Sequence, residues 1–196
     1  MKVRDSGMPD EAMWNSFFDP EKILDELGVG DEIENIAEIG CGYGTFTLPA
    51  SKKIRGILFA IDFEKEMTDL VRSKAVKENI PNIVTVNRDV LSDTTGLEDS
   101  SSDFVFLFNI LHNEYPGDFL KEAYRILKPG GKAGIIHWRS DIITPRGPDL
   151  CIRPKPEDIV KMVENYNNKE KQGFRLFKGP FNIEPYHYGV VIKKVR

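Results

Sequence analysis

Cysteine is scarce. The 196 residues hold only Cys41 and Cys151, too few and too far apart for a disulfide framework or a metal-ligand spacing, and in keeping with a reducing compartment. No uninterrupted apolar stretch approaches the ~18 residues that a bilayer-spanning helix needs, and Met1 to Asp10 carries no apolar core of signal-peptide type. A cytoplasmic protein with no membrane partner is the expectation. Neither sign of charge dominates: 27 Lys+Arg against 31 Asp+Glu leave a net charge of −4, which gives no general attraction for nucleic acid. Internal repeats and low-complexity tracts are absent too. What is present is ordinary for a globular chain, 40% hydrophobic and 30% charged residues, at a length that suits one domain over 1–196.

Against that background one segment stands out, Glu38-Ile39-Gly40-Cys41-Gly42-Tyr43-Gly44, directly after the apolar Ile36 and Ala37. Glycines at alternate positions after a short strand let the backbone turn sharply and approach a ligand closely, with the next helix N-terminus facing it. The spacing is G-x-G-x-G, with Thr45 where a dinucleotide fingerprint wants its third glycine. Glu38 at the base of the loop would repel a pyrophosphate and suit an ammonium group, so an amino acid nucleoside fits better than NAD.

Around this loop the pattern alternates. Two short helices are predicted within Asp10 to Leu27, the second opened by Pro20 as its first residue. Strand-like runs follow at Asn35 to Ile39, Gly56 to Ile61, Ile83 to Asn87, Phe104 to Asn109 and Lys132 to Trp138. Helical patterns lie near Thr45 to Lys53, Glu64 to Glu78, Gly117 to Leu127 and Pro156 to Tyr166. Such alternation means a parallel sheet with helices on both faces. Gly173 to Lys178 and Tyr188 to Val195 are two strands with no helix between them, joined by a turn region at Gly179-Pro180 and Pro185, and they predict a closing antiparallel pair.

The E-x-G-x-G-x-G run, this strand order and the Leu127-Lys128-Pro129-Gly130-Gly131 turn resemble the class I S-adenosylmethionine-dependent methyltransferases of the small-molecule type. The likeness covers Glu34 to Lys194. It implies an α/β, Rossmann-like, seven-stranded core at 34–194, preceded by an N-terminal helical extension at 1–30. S-adenosyl-L-methionine is the implied cofactor. Glu38, Gly40, Cys41, Gly42, Tyr43 and Gly44 would form its loop. Asp62, about 20 residues after the glycines, is placed to accept the ribose hydroxyls, or to cap the next helix; the two uses are compatible. Asp89 and Val90 match the position that takes the adenine amino group and ring, with a cap or turn role as the structural alternative. Asn109 matches the position whose backbone carbonyl meets the methionine amine. Phe63 and Met67 either pack on the adenine or belong to the core.

For the acceptor, Phe108-Asn109-Ile110-Leu111-His112-Asn113-Glu114 leaves the fourth strand at the edge where open parallel sheets bind ligands. In the plant-type small-molecule O-methyltransferases a histidine at the place of His112 is the general base, and an imidazole titrating near neutrality suits that work; a pocket-shaping role is the alternative. His137-Trp138-Arg139 resembles the acid-Trp-basic ending of methyltransferases close to the ubiquinone-pathway type, with His137 in place of the usual Asp. From Ser140 to Pro156 a proline-rich stretch reads as an ordered lid. Arg139, Arg146 and Arg153 either clamp an anionic acceptor or pair with Asp141 and Asp149. Trp14, Phe17 and Phe18 form either a cover over the cofactor, Trp14 then reaching the acceptor, or a helix packed on the sheet. His187 either reaches the cleft or joins a hairpin-edge aromatic cluster.

No N-P-P-Y or D-P-P-Y follows the fourth strand, and no cysteine lies in that loop. Base-nitrogen and covalent cytosine methylation of those types are thereby set aside. The expectation is in-line methyl transfer to a small-molecule acceptor, without metal or covalent intermediate. A protein or RNA methyltransferase is the alternative, and a non-catalytic binder or a dinucleotide oxidoreductase the rival from another class. The acceptor and the oligomeric state are not encoded in any motif.

Overall fold

The computed structural model describes residues 8–195, so that most of the Met1 to Asp10 reading lies outside the described residues. Two short helices come first, α1 (Glu11–Asn15) and α2 (Pro20–Leu27). Asp10 caps α1 through the Met13 N–H, and Asp19 caps α2 through the Lys22 N–H, with Pro20 inside the first turn and Gly28 closing the helix at φ 77°. These are the stop and start devices that leave few orphan backbone groups at helix ends.

The core then alternates: β1 (Ile36–Ile39), α3 (Thr47–Lys53), β2 (Leu58–Asp62), α4 (Lys65–Lys77), β3 (Ile83–Asn87), α5 (Val90–Asp93), β4 (Ser102–Phe108), α6 (Pro116–Ile126) and β5 (Leu127–Trp138). A 3-10 turn at Leu150–Ile152 precedes α7 (Pro156–Glu170), β6 (Phe174–Ile183) and β7 (His187–Lys194). The seven strands form one sheet in the order β3-β2-β1-β4-β5-β7-β6. All neighbours from β3 to β5 are parallel, whereas β7 is antiparallel to β5 and to β6. The expected class, a mostly parallel Rossmann-like sheet with a closing antiparallel pair, is what the chain adopts.

Period-two alternation sorts the residues of each strand onto two cores. On β4, Phe104, Phe106 and Phe108 pack with Leu24 and Leu27 of α2 and Ala50 of α3, while Val105 and Leu107 meet Leu120, Ala123 and Ile126 of α6 and Ile159 of α7. Phe104 and Phe106 are essentially sealed from solvent, each contributing about 2–3 kcal/mol of apolar burial. The sheet order reverses at β1, with β2 on one side and β4 on the other. A crevice opens beyond the carboxyl ends of the strands at such a reversal.

Two boundaries differ by five residues from the sequence reading. Strand β5 begins at Leu127, not Lys132: the pairs Ser102↔Leu127 and Phe104↔Lys132 bracket a looped-out Lys128-Pro129-Gly130-Gly131 segment, so the turn lies inside the strand. Strand β6 runs through Gly179-Pro180 to Ile183, with register shifts that absorb the two residues. It is the sheet's edge, where a proline's missing N–H can face away from the ladder. Among the described residues no helix is long and apolar enough to cross a membrane.

Candidate functional site

The glycine loop is strapped to the end of β2. Gly40 and Cys41 N–H both donate to the Ile61 carbonyl, at 2.8 and 3.1 Å, and Gly42 N–H donates to Asp62 Oδ2 at 2.9 Å. The other Asp62 oxygen accepts the Glu64 N–H at 3.0 Å as the chain enters α4. Asn87, ending β3, donates to the carbonyls of Asp62 and Phe63, both at 3.0 Å. Three strand ends are thereby held in register. Gly40 and Gly42 sit at φ 82° and 48°, a region that L side chains enter with strain. A Cβ at Gly40 would come within 3.1 Å of Ile110, on the side of the crevice.

That crevice encloses about 560 Å³, a volume typical of small-molecule sites. Its lining includes Glu38, Gly40, Cys41, Gly42 and Tyr43 from the loop, Asp62, Phe63 and Met67 after β2, Asp89 and Val90 after β3, and Asn109 and His112 after β4. Residues from four strand ends, expected from the sequence to share one ligand, thus share one cavity. Gly44 does not line it: the Cβ it lacks would lie 2.8 Å from Leu48 and 3.0 Å from Val71, so this glycine permits α3 and α4 to pack behind the loop.

Glu38 is 2% exposed, and the Thr47 hydroxyl donates to its Oε2 at 2.5 Å. Burial pushes its carboxyl from 4.5 up to about 8, against the lowering effect of Thr47. Asp62 is raised by burial as well, opposed by the backbone N–H groups that it accepts. The Cys41 thiol is held far above its ordinary range by burial and by the two neighbouring acids, so it stays protonated and inert. Asp89 accepts the Leu91 N–H at 3.1 Å and caps α5, a helix absent from the sequence reading.

The first helix covers the loop. Tyr43 Oη donates to the Pro9 carbonyl at 3.0 Å, Thr45 Oγ1 to Asn15 Oδ1 at 2.7 Å, and Lys74 bonds both Glu11 and the Tyr43 carbonyl. Trp14 lines the cavity and packs edge-on against Phe17 and Phe18 and beside Trp138.

Beyond β4, His112 is half-buried and lines the cavity, with Nδ1 3.3 Å from Nε2 of His137. His137 is completely buried, does not line the cavity, and is kept neutral well below the ordinary range, first by desolvation and then by repulsion from His112. Trp138, Arg139 and Arg146 do not line it either. Arg139 forms a two-pronged pair with Asp141 at 3.0 and 2.9 Å. Arg153 is 7% exposed; its guanidinium donates to the carbonyls of Pro148 at 2.7 Å and Arg139 at 3.0 Å and lies over the Trp138 ring. Of the two alternatives posed for the three arginines, Arg139 takes the pairing with Asp141, and Arg153 is engaged by loop carbonyls, so two members of a clamp are held within the loop. His187 is sealed against Trp138 and Phe18, far from any titration near neutrality at about 3, and belongs to the aromatic cluster.

Other lining residues went unanticipated: Met8, Arg88, Leu91, Asn113 and Phe119. Arg88 and Leu91 flank Asp89-Val90 and could have been found by adjacency. Phe119 reaches the cavity from α6, which no local pattern announces.

The methyltransferase-domain family pattern matches residues 37–135, just over half of the chain. An uncharacterised methyltransferase-like protein of Schizosaccharomyces pombe is 33% identical over 60% of this chain and 43% of its own length. Demethylmenaquinone methyltransferase of Lactobacillus johnsonii is 33% identical over 50% of this chain and 41% of its own. The chain spans less than half the length of these curated relatives. Among solved structures, an S-adenosylmethionine-dependent methyltransferase from Aquifex aeolicus superimposes with a TM-score of 0.81 at 25% identity, covering 95% of this chain and 94% of that one. A type 11 methyltransferase described as putative, from Sulfolobus solfataricus, gives 0.67 at 28% identity over 92% and 94%. The chain belongs to the methyltransferase-domain family and has the fold of an S-adenosylmethionine-dependent methyltransferase.

Proposed function

We propose that the protein transfers a methyl group from S-adenosylmethionine to the hydroxyl of a small-molecule acceptor. The observation that carries this reading is one cavity lined both by the buried acids Glu38 and Asp62 and by His112. The residues suit the cofactor chemically. Glu38 is a sealed acid that accepts the Thr47 hydroxyl and forms no salt bridge among the described residues, and an ammonium group beside it would supply a countercharge. Asp62 accepts backbone N–H groups, among them those of Gly42 and Glu64, and a carboxylate has lone pairs beyond these to offer vicinal hydroxyls. The Asn109 side chain is buried with neither amide atom bonded. Asp89 and Val90 would face the base, and Phe63 and Met67 its ring.

When bound, the cofactor supplies an electrophilic methyl group on a good leaving group. The chain's part is positioning and exclusion of water. Helix α1, tied down over the loop, covers one side, and Ile110 and Phe119 give the acceptor an apolar wall. His112 takes the hydroxyl proton as the oxygen becomes nucleophilic. The relatives named as demethylmenaquinone methyltransferases and the His137-Trp138-Arg139 ending support an acceptor of small-molecule type.

The test is transfer of label from the methyl-tritiated cofactor into a cell extract separated into metabolites, RNA and protein. Label in the metabolite fraction supports the reading; label confined to RNA or protein overturns the small-molecule part. With the acceptor in hand, His112→Ala should lower turnover by about 100-fold with cofactor affinity kept.

A further inference from the structure

The charges on the cavity wall are segregated. Among the described residues its charged lining consists of Glu38 on β1, Asp62 and Glu64 at the end of β2 and after it, and Arg88 and Asp89 after β3. From β4 onward the lining is Phe108, Asn109, Ile110, His112, Asn113 and Phe119, which hold no carboxylate, ammonium or guanidinium. The sheet order explains the division. Arg88, the one cation of that lining, follows a strand three places from β4, about 14 Å away at strand spacing. Glu38 on neighbouring β1 is level with Phe106, about 10 Å of strand below Asn109. Arg139, Arg146 and Arg153 bring no charge to this side, since none of them lines the cavity.

Two amides stand on the uncharged side. Asn113 Oδ1 accepts the Tyr115 N–H at 3.1 Å, whereas Asn109, 3% exposed, has neither amide atom bonded. Its backbone stands at φ 55°, a conformation that asparagine and aspartate enter more readily than other side chains do. A buried amide without a partner is costly, and a ligand that bonds it removes the cost.

We propose that the acceptor is an uncharged molecule with an apolar body, and that the Asn109 amide meets its polar end. This rests on the hydroxyl-acceptor reading above and names the class of molecule which that reading requires. A carboxylate, phosphate or ammonium set against Ile110 and Phe119 would lose its water with no countercharge from the wall, and isolated ions are not buried on such terms. An anion would also hold His112 in its charged form, and a charged imidazole cannot take the hydroxyl proton. A neutral hydroxyl avoids both penalties. Its O–H bond breaks as the proton goes to His112, its O–CH3 bond forms as the S–CH3 bond breaks, and the product is a neutral ether. The amide head, one acceptor and one donor, is complementary to a hydroxyl, which is also both.

In the experiment, the product labelled in a cell extract by the methyl-tritiated cofactor is passed over anion and cation exchangers at pH 7 and then held in mild alkali. The expected product runs through both columns and keeps its label in alkali, as an ether does. Retention on either column, or release of the label as methanol from the ester of a carboxylate, overturns the proposal and leaves a small-molecule acceptor in place. Label confined to RNA or protein removes that reading as well. In kinetics with the acceptor so identified, Asn109→Asp keeps the side chain's shape and its tolerance of positive φ while adding a charge. It should raise KM about 10-fold or more, with S-adenosylhomocysteine bound no more weakly than by the wild type. A KM within about twofold of the wild type in the folded variant would show that Asn109 does not meet the acceptor.

Discussion

Asp62 accepts the Gly42 N–H at 2.9 Å with one carboxylate oxygen and the Glu64 N–H at 3.0 Å with the other. The same side chain that faces the cavity therefore also sets the shape of the glycine loop and the entry to α4. Its structural and ligand roles are not alternatives, and a substitution should show both.

Asp62→Ala should weaken binding of S-adenosylhomocysteine by about 2 kcal/mol, roughly 30-fold, and lower stability by about 1–3 kcal/mol through the orphaned N–H groups. Titration calorimetry and urea unfolding read the two effects separately. An unchanged affinity in a folded but destabilised variant would reduce Asp62 to a scaffold residue.

Glu38 gives the fold a pH dependence of definite sign. Its carboxyl rises from 4.5 to about 8 on burial, so between those values the native chain holds a proton that the unfolded chain has released. Stability is undiminished by Glu38 below pH 4.5 and falls as pH rises toward 8. Asp62, also raised, acts in the same sense; buried His137 and His187, both lowered, act oppositely below 6.5. Glu38→Gln should flatten the decline between pH 4.5 and 8, as read by denaturant titration across that range. Parallel pH profiles for the two proteins would contradict it.

The glycines of the loop should separate by function. Gly44→Ala meets Leu48 at 2.8 Å and Val71 at 3.0 Å with φ at 79°, and should cost about 2 kcal/mol or more of stability. Gly40→Ala would place its Cβ toward Ile110 on the cavity wall and should weaken S-adenosylhomocysteine more than Gly44→Ala does. Equal loss of affinity in the two variants, measured under conditions where both are folded, would deny the distinction.

The loop and the alternation were legible because each rests on local chemistry: glycines where φ is positive, and apolar residues at period two or 3.6. Strand β6 was cut short at Lys178 because Gly179-Pro180 reads as a turn, and only its place at the sheet edge allows the strand to continue. Arg153 was assigned to solvent or to a ligand because an arginine in a proline-rich stretch carries no local sign of burial. Its partners, the Pro148 and Arg139 carbonyls and the Trp138 face, come together only when β5 and the 3-10 turn are in place. The pairing of His112 with His137 has the same origin, since the two residues belong to different segments joined only by the sheet.

Arg153→Met keeps most of the aliphatic stem while removing the bonds to Pro148 and Arg139. It should cost about 2 kcal/mol or more and expose the 139–156 segment to trypsin at Arg139 and Arg146. Unaltered urea midpoint and unaltered cleavage would show that the guanidinium does not hold the loop.

The central claim is that the cavity at the glycine loop takes S-adenosylmethionine and not a dinucleotide. Scanning calorimetry with S-adenosylmethionine, S-adenosylhomocysteine, NAD and NADP tests it most directly, since a ligand that binds only the native state raises the melting temperature, by an amount equivalent to about 2.7 kcal/mol at 100 times its Kd. A rise with both adenosyl compounds and none with NAD or NADP is the predicted result. A rise with NAD and no response to either adenosyl compound would contradict the account.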